Sequence, residues 1–528
     1  MASHYDLIVI GSGMGGLTVA SLMAQLAHKR VLVLERHFKL GGFTHSFARP
    51  GNRSWDVGLH YVGEMASGEL AREVFDLITQ NRVKWHKMPS PFEKFVYPDF
   101  TFEVPDNEND YLEALINRFP DEEAAIRRYF ADIHDARKWF NTYVFAQSTP
   151  AFSASLLRFF SRGKEQLALC TTGEYLSKHF RNPRLKAVLA SQWGDYGLPP
   201  SESAFLIHAV IVSHYLKGGY YPAGGAGTIA ESVASVIEAY GGRCLLNHTV
   251  TEILTREGKA VGVKATAKKG AQNREVAFYA PVIVSDAGAY TTFCRLLPGE
   301  AAVPFRSELE RMAKKGYSAV SVYLGFKANP SILGFSGANH WIFADDDHDA
   351  IFKNQNGMLE GRALCCFLSF PSLRDPKRDP NARSHTAEIV APLPYETVEA
   401  WQSYPWRRRG RDYEALKHRI AEALLNLVDT YYPRFKALVD YCEVATPLTV
   451  ETFTGHPLGS IYGLPAVPER YRLSQLRVST PVKNLYLTGA DVVSPGIVGA
   501  MMGGVATTAH LLGRLGFWRI ISAAKKHG

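Results

Sequence analysis

Gly11, Ser12, Gly13, Met14, Gly15 and Gly16 follow directly on an apolar run, and an acidic residue, Glu35, stands 22 positions beyond Gly13. These residue types at this spacing suit the holding of a dinucleotide. Gly11 permits a tight turn, Gly13 admits a pyrophosphate to the backbone, and Gly16 lets a helix lie close to its strand. The orphan amides and positive dipole end of that helix then face the phosphates. Glu35 would accept hydrogen bonds from a ribose diol, and its charge would repel a 2′-phosphate. The elements that must place these groups follow from the pattern. A buried strand is predicted over 5–10, a helix over 17–26 with Leu17, Ala20, Met23 and Ala24 on its apolar side, and a second strand over 31–34 that ends in the acid.

The loop alone does not distinguish one dinucleotide from another. After Glu35 and Arg36 comes a second glycine pair, Gly41 and Gly42, with Thr44 close behind, and then Trp55-Asp-Val-Gly-Leu-His-Tyr61. A nicotinamide-binding unit would ordinarily proceed to another helix here. A glycine pair just beyond the ribose acid suits a chain laid along FAD. A third piece lies far downstream, where a short strand at 484–488 runs into Gly489, Ala490 and Asp491, followed by Gly496, Ile497, Val498 and a small-residue helix. Asp491 can reach a ribityl chain. The amides at the start of that helix, around Ile497 and Val498, can face the flavin where negative charge develops on reduction.

With these pieces in view, the sequence resembles the phytoene desaturase, carotenoid isomerase and retinol saturase group of FAD-dependent proteins over nearly its whole length. The likeness rests on Gly11–Gly16 with Glu35, on Trp55–Tyr61, on Gly194-Asp-Tyr-Gly-Leu-Pro-Pro-Ser201, on Tyr221-Pro-Ala-Gly-Gly225 and on Tyr486–Asp491 with Gly496–Gly499. The Gly-Asp-Tyr-Gly and Tyr-Tyr-Pro elements look most like retinol saturase. The resemblance implies an α/β fold with a discontinuous Rossmann-type FAD-binding domain, a mixed α+β substrate domain, and a helical subdomain in contact with membrane. The FAD domain would take residues 1–70, 222–300 and 476–528, and the substrate domain 71–221 and 301–475. The middle segment supports this with a helix over 228–240, a strand, turn and strand over 244–263 turning at Glu257-Gly258, and a strand near 282–285. By resemblance the backbone near Val250 would meet the adenine.

Aromatic residues concentrate in the substrate segments: Trp193, Tyr196, Phe205, Tyr215, Tyr220, Tyr221, Tyr317, Tyr323, Phe326, Trp341 and Phe343. Half or more are expected to fill core, and the rest, grouped around Gly and Pro in loops, to wall a site for a long apolar unsaturated ligand. The proton-handling candidates are His60, Tyr61, Asp195 and His456. No nucleophile elbow, metal-spaced cluster or Walker loop is present, so the reaction chemistry would belong to the flavin. The leading expectation is an oxidoreductase acting on a carbon–carbon double bond of a polyene or long-chain lipid. The alternatives are a flavin-dependent cis-trans isomerase without net redox change and a non-catalytic lipid carrier.

At 528 residues with 46% hydrophobic composition the chain can bury a large core. Six irregularly spaced cysteines exclude a disulfide scaffold or zinc site. The longest apolar stretch, 204–216, falls short of a bilayer span. No leader precedes the first strand, which is where the chain departs from animal retinol saturases and which leads to the expectation of a cytoplasmic protein peripheral to a membrane. Net charge is +8, yet the basic residues are scattered and no nucleic-acid partner is expected. The one dense run, Arg407–Arg409 with Arg411, reads as a solvated helix start. Segments 151–164 and 517–526 combine apolar and cationic residues as an interfacial helix does, or as an ordinary packed helix with a basic outer face. Nothing in the sequence assigns an oligomeric state.

Overall fold

A computed structural model describes residues 5–149, 163–270, 272–299, 303–379, 382 and 384–527. Two sheets organise it. The first is five-stranded and wholly parallel, built from β1 (Leu7–Ile10), β2 (Val31–Leu34), β5 (Arg243–Leu245), β6 (Ile283–Ser285) and β12 (Leu485–Leu487) in the order β12-β6-β1-β2-β5. Three well-separated stretches of chain thus share one sheet. Its strands are short apolar runs rich in Val, Leu and Ile because both faces are covered. Leu7, Val9, Val31, Val33 and Val284 enter one core with the helices α1 (Met14–Ala27), α4 (Gly227–Ala239) and α7 (Ile497–Leu512). Ile8, Ile10, Leu32, Leu34 and Ile283 enter the other.

The second sheet is seven-stranded and mixed. It contains β3 (Glu93–Val96), β4 (Thr101–Val104), β7 (Ala319–Phe326), β8 (Asn339–Phe343), β9 (Cys365–Ser369), β10 (His385–Pro392) and β11 (Val439–Ala445), in the order β11-β7-β10-β9-β8-β3-β4. Only the β8–β3 pairing is parallel. Side chains alternate across it. Val320, Val322, Leu324 and Ile389 pack with Ile420 and Leu424 of α5 (Arg411–Tyr431), whereas Ser321, Tyr323, Trp341, Phe343, Val390 and Pro392 face a cavity.

Several boundaries differ from expectation for identifiable reasons. α1 starts at Met14, ahead of the predicted 17, because extended Gly13 is its N-cap and the helix runs through Gly15 and Gly16. The 244–263 region divides between β5 and an antiparallel meander, 248–256, 259–269 and 272–279, whose third strand was not predicted because its polar first half and apolar second half show no alternation. Tyr323, Phe326, Trp341 and Phe343 lie on strands rather than in loops. The apolar stretch at 204–216 is α3 (Phe205–Tyr215), buried against α2 (Glu123–Ser148), with Tyr129 Oη 2.8 Å from His208 Nε2. Between α5 and β11 lies no further helix of length, and α6 (Pro447–Thr454) follows β11. The chain then closes on α7 and α8 (Gly516–His527). Of the predicted interfacial segment 151–164, residues 151–162 lie outside the described residues. Among those described, no helix is long and apolar enough to cross a membrane.

Candidate functional site

A cavity of about 720 Å³ runs from the carboxyl ends of the parallel strands onto the open face of the seven-stranded sheet. Strand ends are where an open parallel sheet leaves room for a ligand. Gly11, Ser12, Gly13, Met14, Glu35, Arg36, Gly41, Gly42, Thr44, Val250, Asp491 and Ile497 line it, as do His60, Asp195 and His456. Gly15, Gly16, Gly489 and Val498 do not. The first three serve packing instead. A Cβ on Gly15 would fall 2.4 Å from Gly489 Cα, and one on Gly16 would fall 2.5 Å from the Gly11 carbonyl oxygen.

Glu35 holds the glycine loop from the end of β2. Its Oε2 accepts from Ser12 N at 2.9 Å and Ser12 Oγ at 2.6 Å, and its Oε1 accepts from His37 N at 2.7 Å. Burial still raises its pKa against these bonds. Gly41 donates to the Ser12 carbonyl at 3.1 Å, which lays the second glycine pair on the first. Gly41 and Gly42 adopt φ of 109° and 54°, the left-handed region that favours glycine. Thr44 Oγ1 closes that turn on the Gly41 carbonyl at 2.7 Å, and Arg36 Nη2 reaches the Thr452 carbonyl at 3.2 Å. Asp491 accepts from Ala289 N at 2.7 Å and Leu464 N at 2.9 Å. Behind it the fully buried Arg470 donates to the Leu464 and Ala490 carbonyls, fixing both loops.

The residues present fit a dinucleotide on direct grounds. The glycine turn leaves a cradle that side chains would fill, and the buried Thr488 hydroxyl lines the cavity with no hydrogen-bond partner among the described residues. Sequence reasoning missed Asp286. It follows β6, lines the cavity, and sets its carboxyl so close to the loop that Cβ atoms on Gly13 or Gly15 would fall 2.5 and 2.6 Å from it. Burial pushes this carboxyl up to about 8, with Glu35 and Asp491 adding to the shift and the Gly16 and Gly13 amides opposing it.

The substrate half holds a buried proton network. Tyr61 Oη lies 2.6 Å from Glu93 Oε1 and 2.7 Å from Asp195 Oδ2. Trp341 Nε1 donates to Glu93 Oε1 at 2.6 Å, and Gln192 Nε2 donates to Glu93 Oε2 at 2.7 Å. A phenol has one proton and can donate to only one carboxylate. Both contacts are satisfied when one carboxyl itself carries a proton. Glu93 already accepts from two fixed N–H donors, so the proton belongs on Asp195, which donates to Tyr61, which donates to Glu93. Burial raises both carboxyls, Glu93 to about 7 and Asp195 well above the usual carboxylate range, and raises the Tyr61 phenol. Of the three, Asp195 lines the cavity. The Gly-Asp-Tyr-Gly motif now has a reason. A Cβ on Gly194 would fall 2.5 Å from the Trp341 ring, and Gly197, at φ 80°, backs onto Tyr317 and Tyr462.

His60 Nδ1 is 2.7 Å from Glu388 Oε2, and Glu388 Oε1 accepts from Asp56 N at 2.8 Å. Burial raises Glu388. His456 corrects one expectation: its Nδ1 faces the Ser460 carbonyl oxygen at 2.8 Å and burial lowers its pKa, so it is poorly suited to give up a proton at neutral pH. Of the eleven aromatics singled out, Trp193, Tyr317, Tyr323, Trp341 and Phe343 line the cavity and the others do not. Phe47 and Phe367 join them without having been singled out. Among the described residues no cluster of His, Cys, Asp and Glu is placed to hold a metal ion.

Comparison with known proteins gives the family and the fold. Residues 14–512 match the family described as flavin containing amine oxidoreductase. The all-trans-retinol 13,14-reductase of Homo sapiens is 33% identical over 533 residues, covering 96% of this chain and 86% of that protein. The chloroplastic prolycopene isomerase of Arabidopsis thaliana is 28% identical, covering 94% and 80%. Among solved structures, cyclohexylamine oxidase from Brevibacterium oxydans shares the fold with a TM-score of 0.59 at 16% identity, covering 99% of each chain.

Proposed function

Because the chain belongs to the flavin-containing amine oxidoreductase family, we propose that it is an FAD-dependent reductase of a carbon–carbon double bond in a polyene or long-chain unsaturated lipid. The likeness to a retinol 13,14-reductase over almost all of the chain supports this direction. The observation that carries the reading is the Asp195–Tyr61–Glu93 network at the wall of an apolar cavity. Bound and reduced, FAD would supply a hydride to one alkene carbon, and Gly11–Met14, Glu35, Gly41, Gly42 and Asp491 would hold it. Asp195 would give a proton to the other carbon. As it does so, the Tyr61 hydroxyl turns from Glu93 to the new Asp195 carboxylate, so the buried charge stays hydrogen-bonded throughout. Trp341, Phe367 and Tyr323 would wall the chain and exclude water. His60, whose Nδ1 lies 2.7 Å from Glu388 Oε2, is a second proton-handling candidate on the cavity wall.

The test is incubation of the reduced holoenzyme with all-trans-retinol and with a longer polyene, followed by mass spectrometry. A gain of two hydrogens is expected, with Asp195→Asn keeping its FAD absorbance and losing about 10²–10⁴-fold in turnover. Wild-type turnover in that variant would reject Asp195 as the acid. Unchanged product mass with altered retention would assign a non-redox isomerase, and protein that cannot take up FAD would sink the reading.

Two coarser expectations join the proposal. The FAD-binding part comprises residues 1–70, 222–300 and 476–528, with 71–221 and 301–475 for substrate. The protein works in the cytoplasm against the inner face of a membrane, through α8 and the Leu515 that precedes it, where Leu515 and Trp518 are exposed along with Arg519, Lys525 and Lys526.

A further inference from the structure

Arg409 departs from the solvated position expected of a basic run. It lies just ahead of α5, lines the cavity and is only 7% exposed. Its Nη2 donates to Thr452 Oγ1 at 3.2 Å and to the Leu448 carbonyl at 3.4 Å, and its guanidinium lies 5.3 Å from the centre of the Tyr413 ring. Its Nε is buried with no partner, and among the described residues no carboxylate lies within ion-pair distance. Two neighbouring cations on the cavity wall are ion-paired, whereas Arg36 and Arg407, which also line it, have no carboxylate within ion-pair distance among the described residues. Arg49 pairs with both oxygens of Glu443 at 2.6 and 2.7 Å, and Lys417 pairs with Glu414 at 3.0 Å. Arg409 is therefore a buried cation on the cavity wall that has no carboxylate partner among the described residues. A buried cation without a counter-ion is costly to the fold, and a guanidinium fork is matched by a carboxylate or phosphate. The cavity wall also carries Tyr323, Val390, Val444 and Val450.

We propose that the substrate carries an anionic head group, carboxylate or phosphate, that pairs with Arg409 while its unsaturated chain lies along the open sheet face toward Asp195. This deepens the reading of the protein as a lipid double-bond reductase and rests on it. Arg409 would then set specificity, separating an acid from the corresponding alcohol, and would place the double bond at a fixed distance from the head.

The test measures binding of oleic acid, oleyl phosphate and oleyl alcohol to the FAD-loaded protein by quenching of tryptophan fluorescence. Wild type, Arg409→Leu, Arg409→Gln and Arg409→Lys are compared, with FAD content and thermal midpoint recorded for each. The expected result is that wild type binds at least one anion tenfold or more tighter than the alcohol. Arg409→Leu and Arg409→Gln erase that preference and leave alcohol affinity in place, and Arg409→Lys keeps part of it. Whichever anion wild type prefers identifies the head. Equal wild-type affinities for all three would overturn the head-group proposal and leave the lipid reading standing, whereas failure to bind any of them would count against both. Equal losses for acid and alcohol would make Arg409 a wall residue, and loss of FAD would make it a cofactor contact. An effect confined to the KM of NADH or NADPH would make it a nicotinamide dock. Each of those results rejects the proposal.

Discussion

Glu35, Asp286 and Asp491 converge on the dinucleotide end of the cavity, and a pyrophosphate brings more negative charge to the same place. A proton on Asp286 relieves the conflict. Its carboxyl is raised from 3.8 to about 8, so the apo-protein keeps that proton at neutral pH and loses it in alkali. FAD affinity should then fall above pH 8, by up to about tenfold per pH unit, since binding must restore the proton. Asp286→Asn should bind FAD with little pH dependence between 7 and 9.5. Titration of apo-protein by flavin fluorescence checks this, and the same alkaline loss in the variant would exclude Asp286 as its source. Glu93 makes a stability prediction of defined sign. Unfolded, it releases its proton near 4.5; folded, it holds it to about 7. The native state binds the extra proton in that window, so this group's contribution to stability is greatest below pH 4.5 and is lost as pH rises through 7. The thermal midpoint of Glu93→Gln should decline less than that of wild type between pH 5 and 7.5, as differential scanning fluorimetry would show. Asp195 was legible because two glycines bracket it. Glu93 was not, since nothing in Glu-Lys-Phe-Val marks its carboxyl as buried, and it is the parallel pairing with β8 that covers it. Asp286 was hidden in a strand end that looked merely structural.

The crossing of α1 and α7 shows how elements are held for the site. Gly15 meets Gly489, and a Cβ on Gly504 would lie 2.7 Å from the Gly15 carbonyl oxygen, so the two helices approach at backbone distance beneath the loops that carry Ser12 and Asp491. Gly15→Ala would put a methyl 2.4 and 2.5 Å from backbone atoms, which side-chain movement does not relieve. An overpacking cost of about 1–3 kcal/mol is expected. The variant should melt several degrees lower and retain less flavin after gel filtration, read from its absorbance ratio. A variant with the wild-type melting point and full flavin content would refute this account. Much of this layer was visible in advance, because glycine spacing and apolar period announce a strand, a turn and a helix without help from tertiary contacts. The third strand of the meander was not, since its polar first half and apolar second half give no alternation to read. The open-sheet aromatics were misplaced in loops for a related reason: proximity to Gly and Pro outweighed the two-residue alternation that puts Tyr323, Trp341 and Phe343 on strands.

At the scale of the whole molecule, α8 presents Trp518 at 64% exposure and is preceded by Leu515 at 66%, while Phe145 packs edge-on against Phe517. If this edge meets a bilayer, wild type should sediment with phosphatidylglycerol vesicles more than with phosphatidylcholine vesicles, and the Leu515→Ala, Trp518→Ala double variant should lose several-fold of that binding. Equal sedimentation of variant and wild type would place the contact elsewhere. The overall architecture was legible through family-like motifs at both ends of the chain. The joining of cofactor and substrate sites in one cavity was not, because β7–β10 offer their aromatics only once the sheet has formed. The five-stranded sheet also has a consequence in time. β1 is the first of its strands to be made and sits at the sheet centre, whereas β12, its neighbour but one, follows some 480 residues later. At about 5–20 residues per second, the ribosome delivers that last strand roughly half a minute to a minute and a half after the first. Once made, β6 keeps an unpaired edge for the roughly 200 residues until β12 follows, and Asp491 arrives only with that last strand, so the sheet and the cofactor site are completed together.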